Sequence, residues 1–212
     1  MEKTIQNLKD NLRENLISIS EYGKLEKQHL IVLDKLNTSI LKEIKPLLQD
    51  YFKQVKKYPL LLTREELRDG LDVFPLEFLN MKLNHKILYG EDLFKELKFE
   101  KRFIRRELEF EFRSKLINLR QGFLETNSKK EDKIIVEKAV PTLMPMLNGL
   151  LFVKDIDVPH DLEKVFDLIE KEYKVSLNIL KNLKNNELED SIRKMIILLS
   201  KLGDILDEMK IE

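Results

Sequence analysis

The chain of 212 residues has no cysteine. That excludes disulfides, thiolate zinc sites and thiol nucleophiles. Histidine is limited to His29, His85 and His160, too few for a His-rich metal centre. Glycine and proline number only six each. All-β sandwiches and barrels need many tight turns, so this scarcity argues against them. Net charge is also lacking: 38 Lys and Arg balance 38 Asp and Glu. A general nucleic-acid binder or polybasic membrane protein is therefore not expected, although a local basic patch is compatible. No unbroken apolar run approaches the roughly 20 residues of a membrane span. The opening Met1-Glu2-Lys3-Thr4 lacks the apolar stretch of a signal peptide. A cytoplasmic protein with neither a membrane nor a DNA partner is expected.

Apolar residues make up 42% of the chain, enough to bury a core. The Lys-, Glu- and Ile-rich composition has a thermophile-like character. Ile5, Leu8 and Leu12 recur at helical spacing and predict a helix over 3–15. Residues 16–22 alternate and predict a strand, broken at Gly23. Leu30-Ile31-Val32-Leu33 reads as a second strand, buried on both faces. Asn37-Thr38 can cap a helix running to Lys56, with Pro46 inside it giving a kink or a late start. Tyr58 to Leu62 is a third short apolar run. Thr63-Arg64-Glu65-Glu66 has the spacing of a capping box for a short helix ending near Gly70. Residues 74–82 and 86–89 predict at least one strand and allow a helical turn. From about residue 98 the texture changes to long helical patterns: 99–124, then 133–152 with Pro141 and Pro145 inside. Further helices are expected over 162–173, 175–183 and 187–209. This organisation predicts an α+β protein. A small sheet domain over 1–97 precedes an antiparallel helical bundle over 98–212.

Two stretches carry a resemblance. One is Asp72-Val73-Phe74-Pro75-Leu76-Glu77-Phe78-Leu79-Asn80-Met81-Lys82, continued by Asn84-His85-Lys86-Ile87-Leu88-Tyr89-Gly90-Glu91-Asp92. The other is Arg106-Glu107-Leu108 with Lys115 to Leu124. Together with the order helix, strand, glycine, strand, they resemble a family of prokaryotic nucleotidyltransferase-fold proteins with a C-terminal helical bundle, of the DNA polymerase beta-like class. The resemblance covers roughly residues 5–125. It implies a Gly-Ser turn whose amides approach nucleotide phosphates. It also implies two carboxylates two positions apart on one strand, and a third on a neighbouring strand, holding a divalent metal. Here Gly23 is followed by Lys24, and only Lys24 to Gln28 lie between Gly23 and His29. The acid pair falls at Glu26 and Gln28, one carboxylate and one amide. An amide brings no negative charge to a hard cation. Asn80 stands where the resemblance leads one to expect Asp. The expectation is a degenerate site with no catalytic residues, no metal and no cofactor. Mg²⁺ and nucleotide enter only if an atypical acidic site, built from residues such as Glu26 and Glu77, is active.

Several residues remain candidates for binding. Glu77 can be a surviving acidic site residue or a strand-surface side chain. Glu91-Asp92 can hold a metal or cap the next helix. His85 can serve as a base or simply pack, and His29 and His160 read as packed or solvated. Arg106, Arg113 and Arg120 recur every seven residues and so share a helix face, with Arg102 and Arg105 near it. Such a row can clamp phosphates or carboxylates bidentately, or pair with Glu107, Glu109 and Glu111 or with the facing domain. Arg106, Arg113, Arg120 and Glu77 are the expected ligand-binding residues. The run Met144 to Phe152 can be bundle core or part of a homodimer face. The function expected is binding of a protein, nucleotide or RNA, or service as a dimeric scaffold. The alternative is an active metal-dependent nucleotidyltransferase.

Overall fold

The computed structural model describes residues 2–24, 27–181 and 191–210. It is α+β: a small mixed sheet near the N-terminus, then a helical bundle. The chain divides into two compact units. Met1–Val73 and Met81–Lys98 form the first, and Phe74–Asn80 and Phe99–Glu212 form the second.

In the first unit, α1 (Glu2–Leu12) leads through a single 3₁₀ turn into β1 (Leu16–Tyr22). β2 (Gln28–Leu33) returns antiparallel beside it. Asn37 caps α2 (Thr38–Leu47) by accepting from the Ile40 N–H, and α3 (Gln49–Val55) follows. The break between these two helices falls at Leu48, two residues past Pro46. β3 (Leu60–Thr63) runs parallel to β2. β4 (His85–Gly90) closes the other edge, giving the order β3-β2-β1-β4. β1 and β2 are thus the inner strands. That position explains why Ser18 and Ser20 are as buried as Leu16 and Ile19 despite the alternation of the sequence. Leu8, Leu12, Leu16, Ile19, Ile31, Leu33, Ile44 and Leu48 make one core between α1, α2 and the sheet.

Thr63 and Glu66 form the full capping box at α4 (Arg64–Asp69): each side chain accepts from the other's backbone amide. Of the two stretches 74–82 and 86–89, read as at least one strand with a possible helical turn, the second is the strand β4, and the first is a full helix, α5 (Pro75–Leu83). Pro75 sits at its first position, where a missing N–H costs nothing. Leu76, Phe78, Leu79 and Met81 are all buried, so the apolar positions of this short helix carry no helical period.

The second unit is built on α6 (Lys101–Glu125) and α7 (Lys129–Val153). They run antiparallel: Gly122 lies against Ile135, and Leu108 against Gly149. Ile104, Leu108, Phe112, Leu116 and Leu119 form the buried stripe of α6. α7 continues through Pro141 and Pro145. α8 (Leu162–Tyr173), the short α9 (Asn178–Lys181) and α10 (Ser191–Glu208) complete the described bundle. The expected helical residues 182, 183 and 187–190 lie outside the described residues. Met146, Leu147, Leu150 and Leu151, from the run considered as a dimer face, are buried within the unit itself.

One helix is more apolar than its unbroken runs suggest. The helix stretch Lys130–Val153 is long and apolar enough to cross a membrane by length and composition. Glu137 and Lys138 interrupt the run without making the helix polar overall. The core helix of a bundle meets the same description.

Candidate functional site

The residues expected to mark a degenerate transferase site fall in both units, and each is described within its own. In the first unit, Gly23 takes a positive φ of 95°. Its N–H donates to the Asn84 carbonyl at 3.1 Å. The amide is therefore spent on closing the end of the sheet. Gln28 begins β2, and its Oε1 accepts from the Tyr22 hydroxyl at 3.2 Å. Glu26 lies outside the described residues.

Glu91 and Asp92 neither cap a helix nor stand free. Glu91 pairs with Arg64 at 2.8 Å. Asp92 precedes a 3₁₀ turn without a side-chain cap bond. It accepts from His85 Nε2 at 3.1 Å and lies 3.4 Å from Lys95 Nζ. The other ring nitrogen, Nδ1, faces the Lys82 carbonyl at 2.8 Å. The imidazole also lies against Phe94, with ring centroids 4.5 Å apart. Both ring nitrogens of His85 are thus engaged within the fold. His29 is buried, with Nδ1 2.9 Å from the Tyr51 hydroxyl and Nε2 3.9 Å from Glu21. Burial lowers its pKa, against a smaller pull upward from the Glu21 carboxylate.

In the second unit, α5 brings Glu77 and Asn80 beside α6 and α7. The reading of Glu77 as a strand-surface side chain is corrected: it is helical, as is Asn80. Asn80 Nδ2 donates to the Leu76 carbonyl at 2.7 Å and the Pro145 carbonyl at 3.1 Å. Its Oδ1 accepts from Asn148 Nδ2 at 2.7 Å. This amide ties α5 to α7 close to the proline that interrupts the α7 ladder.

Glu107 of α6 accepts from the Leu76 N–H at 2.7 Å, satisfying one of the free amides at the start of α5. Glu77 and Glu111 stand close enough to act on it electrostatically. Burial, partly offset by the Leu76 amide, raises the Glu107 pKa. Glu77 occupies an exposed position. Desolvation, with the Glu111 carboxylate adding to it, raises its pKa too, while Lys115 opposes the rise. Lys115 pairs with Glu111 at 3.0 Å. Glu107 and Glu111, read from sequence as arginine partners, are thus neighbours of Glu77. Only the placement of α5 against α6 reveals this. Among the described residues, no group of three or more His, Asp or Glu side chains is disposed to hold a metal ion.

The arginines of α6 take different roles. Arg113 pairs with Asp204 at 3.3 Å and Asp207 at 3.8 Å, both on α10. Arg105 donates to the Leu206 and Asp207 carbonyls and pairs with Glu109. Arg102 pairs with Glu100. Arg106 is exposed, its guanidinium 5.5 Å from the Phe103 ring centroid, and Arg120 is exposed. Three apolar side chains on the same face went unremarked in the sequence: Phe110, Ile117 and Leu124 are all exposed. Their spacing of seven, in step with the arginines, was the available signal.

No protein-family model matches the chain, and no curated protein matches it either.

Proposed function

We propose that this chain is a nucleotidyltransferase-like protein that has lost catalysis and acts by binding, through the arginine-bearing face of α6. One observation carries the first half of this reading. The polar groups standing where the chemistry needs phosphate contacts and carboxylates are already spent inside the fold. The Gly23 amide is bonded to Asn84. Gln28 holds Tyr22, and Asn80 holds Leu76, Pro145 and Asn148. Neither amide supplies the charge a divalent cation demands. Exposed Arg106 and Arg120 support the second half, since guanidinium groups recognise carboxylates and phosphates through paired hydrogen bonds.

The alternative is an active metal-dependent transferase with an atypical acidic site. It draws on Glu77 together with Glu26, which lies outside the described residues. Isothermal titration with ATP or GTP and Mg²⁺, followed by assay for nucleotidyl transfer, separates the two. The binding reading expects no turnover. Turnover that disappears in Glu77→Ala would establish the enzyme. If Arg106→Ala with Arg120→Ala leaves every detected ligand affinity unchanged, the α6 face is not the binding surface.

A further inference from the structure

Within the helical unit, the start of α5 is held to α6 through a carboxylate. The Leu76 N–H donates to Glu107 at 2.7 Å. The Leu76 side chain is buried and, like Leu108, lies close to Gly149. Farther along α5, Asn80 reaches the Pro145 carbonyl and Asn148 of α7. Those contacts join amides and carbonyls, which do not titrate. The Glu107 contact does.

Glu107 is half-buried among groups of its own charge. Glu111 follows it by one turn of α6, and Glu77 adjoins the residue whose amide it holds. Both carboxylates repel it. Lys115 stands on this side of α6 and pairs with Glu111 at 3.0 Å. Arg106 adjoins Glu107 in the chain, its guanidinium 5.5 Å from the Phe103 ring centroid. From α7 come Pro145, Asn148 and Gly149, none of them ionisable. Asp204 and Asp207 of α10 meet Arg113 instead. A protonated carboxyl sheds this repulsion and still keeps an acceptor oxygen for the Leu76 amide.

We propose that Glu107 is a proton-operated clasp: taking up a proton tightens α5 against α6 and α7, and losing it loosens α5. Burial holds the Glu107 carboxyl above the usual glutamate range. The Leu76 amide opposes that rise, and Glu77 and Glu111 add to it. Release of α5 returns Glu107 to water and takes Glu77 away, so the detached carboxyl holds its proton less tightly. Docking therefore strengthens as pH falls through the raised value and is weakest above it. Glu77 is raised by desolvation, with Glu111 adding, and acts in the same direction. Loosening uncovers Leu76 and the apolar bed at Gly149.

The test is amide hydrogen exchange by NMR on the full chain, from about pH 7.5 to about pH 4.5, each rate referred to that of an unstructured amide at the same pH. The Leu76 amide reads the clasp directly. Leu147, buried in α7, reports any general change in stability. Protection of Leu76 relative to Leu147 is expected to rise at least about threefold on acidification. Glu107→Gln keeps an acceptor oxygen but has no proton to take up. It should hold Leu76 protected at both ends of the range, with the pH dependence gone. Glu77→Gln, at an exposed position, removes one like charge. It should raise Leu76 protection at the upper pH and leave a shallower dependence. A ratio that stays flat or falls on acidification in the parent chain overturns the proposal. So does a Glu107→Gln chain with the parent's pH dependence. If that variant does not fold, a Glu77→Gln chain indistinguishable from the parent decides against the clasp.

Discussion

Asn80 is fixed by its side-chain amide at three points. Its NH₂ faces two carbonyl oxygens, at Leu76 and Pro145, and only its Oδ1 meets a donor, on Asn148. Placing an acid here, as Asn80→Asp, sets a carboxylate oxygen against both carbonyl oxygens. The expected loss is about 2–4 kcal/mol in urea denaturation, more than for Asn80→Ala, which removes bonds without adding repulsion. An Asp variant as stable as the parent contradicts this account. His29 gives a second test at the same scale. Burial holds its pKa below the usual value, so the folded chain resists protonation while the unfolded chain accepts the proton. Stability is therefore full above the unfolded value of about 6.5 and declines as pH falls toward the lower folded value. Urea midpoints should drop on acidification through that window, and His29→Asn should flatten the slope. Neither partner was readable in the sequence. Tyr51 lies 22 positions from His29, and Pro145 lies 65 positions from Asn80.

At the scale of elements, legibility followed the locality of the determinant. The Thr63 capping box and the Asn37 cap depend on residues three positions apart, and both form as the sequence predicts. The stripe of α6 was equally readable, because burial on one side imposes its period. α5 was not. It is buried at so many positions that no period distinguishes helix from strand over so short a run. The turn after β4 was readable only in part. Gly90 has φ of 77°, and a Cβ there would lie 2.0 Å from the Ile17 carbonyl oxygen. Gly90→Ala should therefore cost about 4 kcal/mol or more, since strain and a backbone clash coincide. Gly122→Ala is the control. It lies inside α6, and its added methyl meets only the end of Ile135 at 3.1 Å. The helical preference for alanine offsets much of that crowding, so a change within about 1 kcal/mol is expected. Thermal melts of the two variants should differ widely.

For the whole molecule, the segment Phe74–Asn80 decides how the chain can be divided. It is counted with the helical unit although the residues on both sides of it belong to the sheet unit. Change of texture near residue 98 was visible in the sequence, because long helical periods begin there. The earlier excursion was not, because it is written in packing: Leu76 and Leu108 both lie close to Gly149, where a Cβ would meet them at 2.4 Å and 3.1 Å. Glu107 and Asn148 then bond to α5 from α6 and α7. A fragment cut at Phe99 thus loses a buried leucine, an amide partner for Glu107 and the Asn80 bridge at once. Fragment 99–212 should melt about 10 °C or more below the helical unit in the full chain, since each lost kcal/mol lowers the midpoint by several degrees in a unit of this size. Adding a synthetic peptide spanning 73–84 should raise the melting temperature with peptide concentration, by mass action on the folded form. The same peptide carrying Leu76→Asp should not. If fragment 99–212 melts as high without the peptide as the unit does in the intact chain, the excursion is incidental. If only the wild-type peptide restores it, α5 is part of the helical unit's fold.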